Sequence, residues 1–250
     1  GMQHDAVSVT AQDLLPRLLK TSSSDANTRT ALDLLGKWDG AMAMDRAQPL
    51  IFNAWMRAVY NAMLNAVDVG GRGGRAAVAP WEELVPATLL QGSADDVERF
   101  CRGDCDKLLA DTLRASVAEL VAQFGPAIDS WRWGDPHVAV FAHPMLRYLP
   151  VVGPYFHVEI ATPGDDSTVD RGGLAPDGFT SVHGPAFRGV YDLADLDRSR
   201  FVVAPGQSGH FFSRRSRNFL VRWQQGQSVT LGPAPSDTDV TLHLTPGSRS

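Results

Sequence analysis

Near Gly125 the spacing of apolar residues changes, and this change constrains the fold of the chain more than any other feature. Before Gly125, apolar residues recur every three or four positions, the spacing of helices with one buried face. After Gly125, short apolar stretches alternate with turns that contain glycine or proline, a pattern typical of strands. The sequence therefore predicts an α+β fold, with a mainly helical segment at residues 2–125 and a strand-rich segment at residues 126–250.

Helical spacing marks five stretches of the first segment, and some of them begin at residues that cap helices. Asp25 or Asn27 caps the second helix, and Ser93 caps the fourth. Pro49 lies in the first turn of the third helix, where proline is tolerated. The predicted helices cover residues 11–20, 25–40, 45–67, 93–100 and 106–125. A glycine-rich linker at residues 69–80 lacks the Gly-Lys-Ser/Thr ending of a phosphate-binding loop.

In the second segment, six stretches are predicted as strands or strand ends. They are residues 137–142, 156–163, 167–173, 187–193, 200–206 and 240–246. One helix is predicted among them at residues 214–226, and residues 232–240 form a linker before the last strand. At the other end of the chain, Gly1 precedes Met2 and is interpreted as the remnant of a cleaved tag.

The charge of the chain argues against two classes of partner. The 250 residues carry a net charge of −5, with a pI of about 5.8. Nucleic-acid grooves and polybasic membrane patches need clustered positive charge instead. The one basic cluster, Arg214, Arg215 and Arg217, is interpreted as a solvated face or as a set that pairs with carboxylates. No apolar run approaches the ~18 residues that cross a bilayer. The charge and the lack of such a run together predict neither nucleic acid nor a membrane as a partner.

The two cysteines, Cys101 and Cys105, have a spacing that permits more than one structure. A four-residue offset places them on one face of a helix, whereas Gly103 between them allows a short loop between two helical segments. In a loop the pair can close a disulfide, which an oxidising compartment would favour. Free thiols are the alternative, and a metal site is disfavoured because no second ligand pair has metal-binding spacing.

Ser208 is the candidate nucleophile of the sequence, in the stretch Gly-Gln-Ser-Gly-His at residues 206–210. A nucleophile elbow requires Gly-x-Ser-x-Gly, and His210 stands where the second glycine should be. Glycines on both sides of a serine are also typical of a tight turn, so Ser208 is interpreted as structural. A serine hydrolase that pairs Ser208 with His183 or His210 is kept as a weaker hypothesis.

The other polar and aromatic candidates are also interpreted as structural. Asp165 and Asp166 follow Pro-Gly and predict a turn. Trp131 and Trp133 are two positions apart, which on a strand places them on one face, at a corner of the core. No pair of histidines has metal-binding spacing. Composition and spacing alone therefore predict no catalytic, cofactor-binding or metal-binding residue.

Several stretches, taken in chain order, resemble the penicillin acylase (penicillin amidase) family. The family pattern includes a Trp-x-Trp-Gly-x-x-His segment, a Gly-Gly-x-x-Thr-Val-Asn-x-Gly-Gly turn, and a Gly-Gln-Ser-Gly followed by a tryptophan. The similar stretches of this chain are residues 2–16, 31–45, 131–146, 162–173, 181–196 and 202–227. Any one of these motifs is weak, but their order is specific, and it resembles the C-terminal part of the family's large subunit.

This resemblance implies an N-terminal-nucleophile hydrolase, which cuts one precursor into a small and a large subunit. The large subunit then begins with the serine nucleophile, whose own α-amine acts as the base through a water. Such enzymes release a carboxylic acid and an amine, and their substrates include penicillins, cephalosporins and acylated homoserine lactones. The implied fold is a four-layer αββα sandwich, of which this chain would supply the C-terminal portion.

None of the family's catalytic residues can be carried onto this chain. The resemblance places the nucleophile, the oxyanion asparagine and the calcium site upstream of Met2, so the chain alone is expected to be inactive and to hold no cofactor. Its expected partners are the upstream part of the large subunit and the small subunit, with a homodimer through the exposed surface as a further expectation. The parent enzyme is expected to be periplasmic.

Two departures from the family pattern loosen the placement within the family more than they affect the fold. Asp170 stands where the family usually has asparagine, and residues 214–216 replace a tyrosine-bearing stretch. The alternative hypothesis is a free-standing, non-catalytic binding or structural protein that arose from an acylase by truncation. Stretches such as residues 138–142 are apolar on both faces, as in strands buried on both sides, and this favours the fragment.

Overall fold

A computed structural model of the chain describes residues 2–67 and 79–232. Gly1, most of the predicted glycine-rich linker, and the linker and strand predicted near the C-terminus lie outside the described residues. Helices dominate as far as Phe124, and two small sheets follow. The predicted α+β fold is therefore confirmed.

Helices of the described residues lie mainly in the first half of the chain. They are α1 (Val9–Leu18), α2 (Ala26–Leu35), α3 (Gln48–Ala66), α4 (Trp81–Gln91), α5 (Ala94–Cys101), α6 (Cys105–Phe124) and α7 (Leu220–Gln224). Among these, no helix combines the length and the apolar character that crossing a bilayer would require. Short 3-10 turns connect several of the elements.

Capping residues fix where several helices begin, as the sequence predicts. Asp25 accepts a hydrogen bond from the Thr28 N–H at 2.8 Å and starts α2. Ser93 starts α5 through a capping box, in which its side chain and that of Asp96 accept from each other's backbone N–H groups. Pro49 lies in the first turn of α3. These predictions of helix starts are confirmed.

The pair α3 and α6 forms the centre of the helical half. Trp55 is fully buried and donates from its Nε1 to the Leu109 carbonyl at 3.1 Å. Ser116 on α6 donates to the Ala54 carbonyl on α3 at 3.3 Å. Burial of each large apolar side chain contributes roughly 1.5–3 kcal/mol. The largest of those in this core are Trp55, Trp133, Phe52, Leu14, Leu18, Leu35, Met42, Leu50, Ile51, Met56, Met63 and Leu109.

Trp131 and Trp133 pack into this same core from an irregular stretch rather than from a strand. They follow the 3-10 turn Ile128–Ser130 and are 2% and 0% exposed. Their indole N–H groups donate to the carbonyls of Gly125 and Gly164, each at 3.0 Å. The predicted core position is confirmed, and the indole hydrogen bonds to backbone carbonyls hold both rings there.

Two sheets make up the second half. Their strands are β1 (Val138–Ala142), β2 (His157–Ala161), β3 (Gly173–Leu174), β4 (Ser181–His183), β5 (Phe187–Val190), β6 (Arg200–Val203) and β7 (Val229–Thr230). The first sheet has the order β2-β1-β4-β3, in which only the β1–β4 pair is parallel. The second sheet is antiparallel with the order β5-β6-β7. Trp223 of α7 packs on Ala139 and Val202, which connects the two sheets.

Some elements differ from the sequence prediction. The helix α4 is not predicted, because Pro86 inside it interrupts the helical pattern of the sequence. Of the strand or strand end predicted at residues 167–173, only Gly173 lies in a strand, β3, and the preceding turn is held by the Thr168 hydroxyl, which donates to the Asp170 carbonyl at 2.9 Å. The helix predicted at residues 214–226 shortens to α7, because the Ser216 hydroxyl donates to carbonyls of the preceding turns.

Between α5 and α6, the two cysteines lie at the ends of a short loop. Cys101 ends α5, Cys105 begins α6, and their sulfurs are 2.01 Å apart, the distance of a disulfide. Arg102 and Gly103 both adopt positive φ, at 52° and 84°, which turns the chain sharply enough to join the two helices. Both cysteines are buried against the helical core.

Replacement of both cysteines by alanine is expected to lower the free energy of unfolding by about 2 kcal/mol, because a disulfide across so short a loop restricts the unfolded chain only modestly. Urea unfolding followed by tryptophan fluorescence measures this loss. Wild-type protein in excess reductant is the matched comparison. Equal stability of the oxidised protein and the variant would show that the disulfide does not stabilise the α5–α6 connection.

Candidate functional site

Ser208 lies in a turn that follows β6 and a cis Ala204–Pro205 bond. The N–H groups of Gln207 and Ser208 donate to the Arg215 carbonyl at 2.9 and 3.2 Å. The Ser208 hydroxyl oxygen accepts from the His210 N–H at 3.2 Å, as serine does in turns. The turn predicted around Ser208 is therefore observed, and the hydroxyl has a structural partner.

His143 is the histidine that contacts this turn. Its Nδ1 accepts from the N–H groups of Met145 and Leu146 at 3.2 and 3.1 Å. Because Nδ1 accepts, the proton of the neutral ring is on Nε2, which donates to the Gly209 carbonyl at 3.2 Å. Both ring nitrogens are thus occupied by backbone groups, and neither is placed to take a proton from Ser208.

His183 and His210 do not activate Ser208 either. His183 ends β4 and is exposed, and the ring of His210 contacts that of Phe212, with centroids 6.1 Å apart. Over the described part of the chain, no hydrogen bond joins either imidazole to the Ser208 hydroxyl. The serine hydrolase hypothesis therefore lacks the contact between nucleophile and base on which it depends.

A pocket of about 280 Å³ lies beside Ser208 and is bordered by aromatic rings. Phe141, Phe156 and Phe211 line it, and the Arg217 guanidinium stacks 4.8 Å from the ring centre of Phe211. Arg217, one of the three arginines of the basic cluster in the sequence, therefore contacts an aromatic ring. The pocket offers an apolar cleft and backbone groups, with no activated nucleophile.

Asp165 is a buried acid that the sequence analysis interprets only as part of a turn. It is 0% exposed, and its Oδ1 accepts from the N–H and the hydroxyl of Ser167, each at 2.8 Å. Ser167 in turn lies 2.7 Å from the Ser8 hydroxyl, which caps α1. Burial raises the pKa of Asp165 to about 6, since no cation compensates the carboxylate.

His137 is a buried base next to the same turn. Its ring stacks on Trp133 with centroids 4.3 Å apart, and its Nδ1 lies 2.6 Å from the Phe179 carbonyl. A carbonyl only accepts, so Nδ1 carries the proton of the neutral ring. Burial lowers the pKa of His137 to about 4, which keeps the ring neutral at physiological pH.

Asp170 and Arg188 form a buried ion pair, with exposures of 4% and 6%. The Arg188 guanidinium donates to the Asp170 carboxylate and to the Trp223 carbonyl, and it stacks 4.8 Å from the ring centre of Trp223. His4 lies 3.7 Å from the other Asp170 oxygen. Burial and the nearby Arg188 charge lower the pKa of His4. The aspartate that departs from the family pattern is thus matched by an arginine.

Within residues 2–67 and 79–232, no three side chains of histidine, cysteine, aspartate or glutamate are grouped so as to hold a metal ion. The calcium site expected upstream of Met2 stays a prediction. Sequence reasoning missed the roles of Asp165, His137 and Arg188, because each depends on burial. Only the unusual aspartate at position 170 was visible beforehand.

Comparison of the sequence with known proteins assigns the chain to a family. The family model described as penicillin amidase matches residues 1–238, and the chain belongs to that family. It is 27% identical over 187 residues to penicillin acylase 2 proenzyme of Pseudomonas sp. (strain SE83). The aligned residues cover 69% of this chain and 22% of that relative. Acyl-homoserine lactone acylase QuiP of Pseudomonas syringae pv. tomato is 28% identical over 140 residues, covering 55% of this chain and 17% of that protein. The chain thus spans about a fifth of the length of these relatives.

Disruption of the buried ion pair is expected to lower the free energy of unfolding, and a double-mutant cycle measures how strongly the two charges are coupled. Asp170→Asn and Arg188→Met each leave one buried charge without its partner, so each should lower the free energy of unfolding by roughly 3–5 kcal/mol. The double variant removes both charges and should lose less than the sum of the two. Urea unfolding of all four proteins measures the coupling.

The matched control for this cycle is Asp111→Asn, which removes an exposed acid that pairs with Lys107 at 2.6 Å. Exposed pairs contribute about 0–1 kcal/mol, so this change should be small. Additive losses in Asp170 and Arg188 variants would contradict a direct coupling between the two charges.

Asp165 and His137 make opposite contributions to the pH dependence of stability. The pKa of Asp165 rises from 3.8 to about 6 on folding, so its contribution is complete below pH 3.8 and is lost as the pH rises through 6. The pKa of His137 falls from 6.5 to about 4, so its contribution is complete above pH 6.5 and is lost as the pH falls towards 4. In wild-type protein the two effects offset each other.

Asp165→Asn is expected to remove the first contribution and leave the second. The stability of the variant should rise more steeply between pH 4 and 6.5 than that of wild type, and at pH 7.5 it should exceed wild type by up to about 3 kcal/mol. Urea unfolding across this pH range measures both. Asp111→Asn, which removes an exposed carboxylate, serves as the control. Parallel pH profiles for Asp165→Asn and wild type would contradict the assignment.

Proposed function

We propose that this chain is the C-terminal part of the large subunit of an acylase that hydrolyses the amide bond of N-acyl compounds. The observation that carries the proposal is membership of the penicillin amidase family combined with a match to only 22% of penicillin acylase 2 proenzyme. The names of the relatives include a penicillin acylase and acyl-homoserine lactone acylases, which supports an N-acylated β-lactam or homoserine lactone as the substrate class.

In this proposal the reacting groups are contributed by the rest of the protein. A serine at the start of the large subunit would attack the amide carbonyl, with its own α-amine as base, and release first the amine and then the carboxylic acid. The occupied hydroxyl of Ser208 supports this division, because it accepts from the His210 N–H and contacts no imidazole in the described part of the chain. The chain would supply the scaffold against which the catalytic part packs.

The loop between β1 and β2, residues 145–155, supports a partner that covers this part of the surface. Met145, Tyr148, Val151 and Tyr155 are between 71% and 88% exposed. Arg147 is the one charged residue in these eleven positions. A dense apolar surface of this kind marks an interaction site, and the remainder of the large subunit with the small subunit is the proposed occupant. A homodimer would cover the same loop in the isolated chain.

The disulfide supports a periplasmic location for the parent enzyme. Cys101 and Cys105 are joined in the structure, and disulfides form and persist in oxidising compartments. Burial of both cysteines against the helical core protects the bond from exchange with soluble thiols. An exported protein would therefore reach this folded state without a dedicated cytoplasmic oxidant.

Activity measurements on two proteins test the proposal. The full-length precursor, purified after maturation, should release amine from a penicillin or from an N-acyl-homoserine lactone, whereas the 250-residue chain should not. Ser208→Ala in the full-length enzyme should retain at least half of wild-type kcat/KM, since Ser208 has only a structural contact. Loss of labelling by a fluorophosphonate in the Ser208→Ala variant of the 250-residue chain would instead establish Ser208 as a nucleophile.

An antiserum against this chain gives an independent control in the source cells. A polypeptide much larger than 27.1 kDa agrees with the proposed fragment. A polypeptide of the size of this chain, with a cooperative melt as a monomer, would favour the free-standing binding or structural protein instead. The helices share one buried core with Trp131 and Trp133. A core of this kind is what a free-standing protein needs, and it supports this second function.

A further inference from the structure

A positively charged pocket of about 780 Å³ lies on one face of the second sheet, away from Ser208. In the antiparallel register Arg188 faces Val202, and Val190 faces Arg200. Residues that face each other, or lie two apart on one strand, share a face, so all four side chains lie on the same side of the sheet. They line the pocket together with Arg222 of α7.

Three arginines therefore surround one pocket, and none of the residues that line it is an acid. Asp170 lies behind the pocket and compensates Arg188, which is buried and fixed by Trp223. Arg200 and Arg222 form no ion pair with a carboxylate in the part of the chain that the structure describes. Three guanidinium groups against one carboxylate leave a net charge of +2 at the pocket.

We infer that this pocket binds an organic carboxylate, with Arg200 and Arg222 holding the carboxylate group and an apolar wall holding its chain. Guanidinium groups bind carboxylates through paired, charge-assisted hydrogen bonds. Met2, Val190 and Val202 supply the apolar wall. The volume lies within the range of about 300–1,000 Å³ that is typical of small-molecule sites.

The contrast with other arginines of the chain supports this assignment. Arg17, Arg46 and Arg171 are each within 3.1 Å of an aspartate of the chain itself. Arg200 and Arg222 instead line the same pocket as Arg188 and pair with no carboxylate in the described part of the chain, and like charges around one pocket repel each other. An anion between them relieves this repulsion. The inference does not depend on the acylase activity proposed above, because binding is measured without turnover.

Calorimetric titration of the 250-residue chain with hexanoate, at pH 8 and low ionic strength, tests the inference. Hexanoate should bind at least tenfold more tightly than hexanamide, which has the same chain and no charge. Arg200→Gln with Arg222→Gln should weaken hexanoate binding about tenfold. Arg214→Gln removes an exposed arginine outside the pocket, and it should leave the affinity unchanged. Thermal melts of the variants check that each is folded, as exposed substitutions should be.

Four results would overturn the inference. Equal affinity for hexanoate and hexanamide would show that charge plays no part, and an unchanged affinity in the double variant would remove the two arginines from the site. Tighter binding of inorganic phosphate than of hexanoate would exclude an organic carboxylate as the preferred ligand. Binding to the chain that disappears in the full-length protein would show that the protein itself fills the pocket.

Discussion

The backbone of Gly164 joins the helical half of the molecule to its sheets. The Gly164 N–H donates to the Met42 carbonyl at 2.9 Å, and its own carbonyl accepts from the Trp133 indole at 3.0 Å. Gly164 has a φ of +85°, and a Cβ there would lie 1.9 Å from the Asp170 carbonyl oxygen, so only glycine fits. The same turn positions the buried side chains of Asp165 and Asp170, and both buried acids depend on its geometry.

Both acids are buried, but only one of them is paired with a cation. Asp170 faces Arg188, and the pair is held further by the Trp223 carbonyl and ring. Asp165 has hydrogen-bond donors from Ser167 but no cation, so burial favours its protonated form. One turn therefore contains an acid that is paired with a cation and an acid that is not. This accounts for why similar aspartates in one sequence segment have different energetic roles.

The sequence predicted local structure where local chemistry decides it. Capping by Asp25 and Ser93 determines helix starts without help from distant residues, and apolar spacing determines the buried face of α6. The helix α4 was not predicted because the proline inside it interrupts the helical pattern, and the strand β7 was not predicted because it has only two residues. Turn hydrogen bonds overrode the helical pattern before α7.

The site-level features were less accessible from sequence. Asp170 could be singled out as unusual, but its partner Arg188 is eighteen positions away, and nothing in the spacing predicts that both are buried. The same holds for His137, whose burial arises from stacking on Trp133 and from contact with the Phe179 carbonyl. Family order was informative where spacing was not, since six weak motifs in sequence identified the fold to which all of these contacts belong.

The position of the 145–155 loop has a consequence for the solubility of the chain. The loop leads into β2, which is an edge strand of the first sheet among the strands that the structure describes. An apolar loop beside an open edge is a template for contact with other copies, and charged residues nearby are what normally prevents it. Arg147 is the one charged residue within the loop, and Glu159 of β2 is half-exposed beside it, so these two side chains are the charges placed to oppose association at this edge.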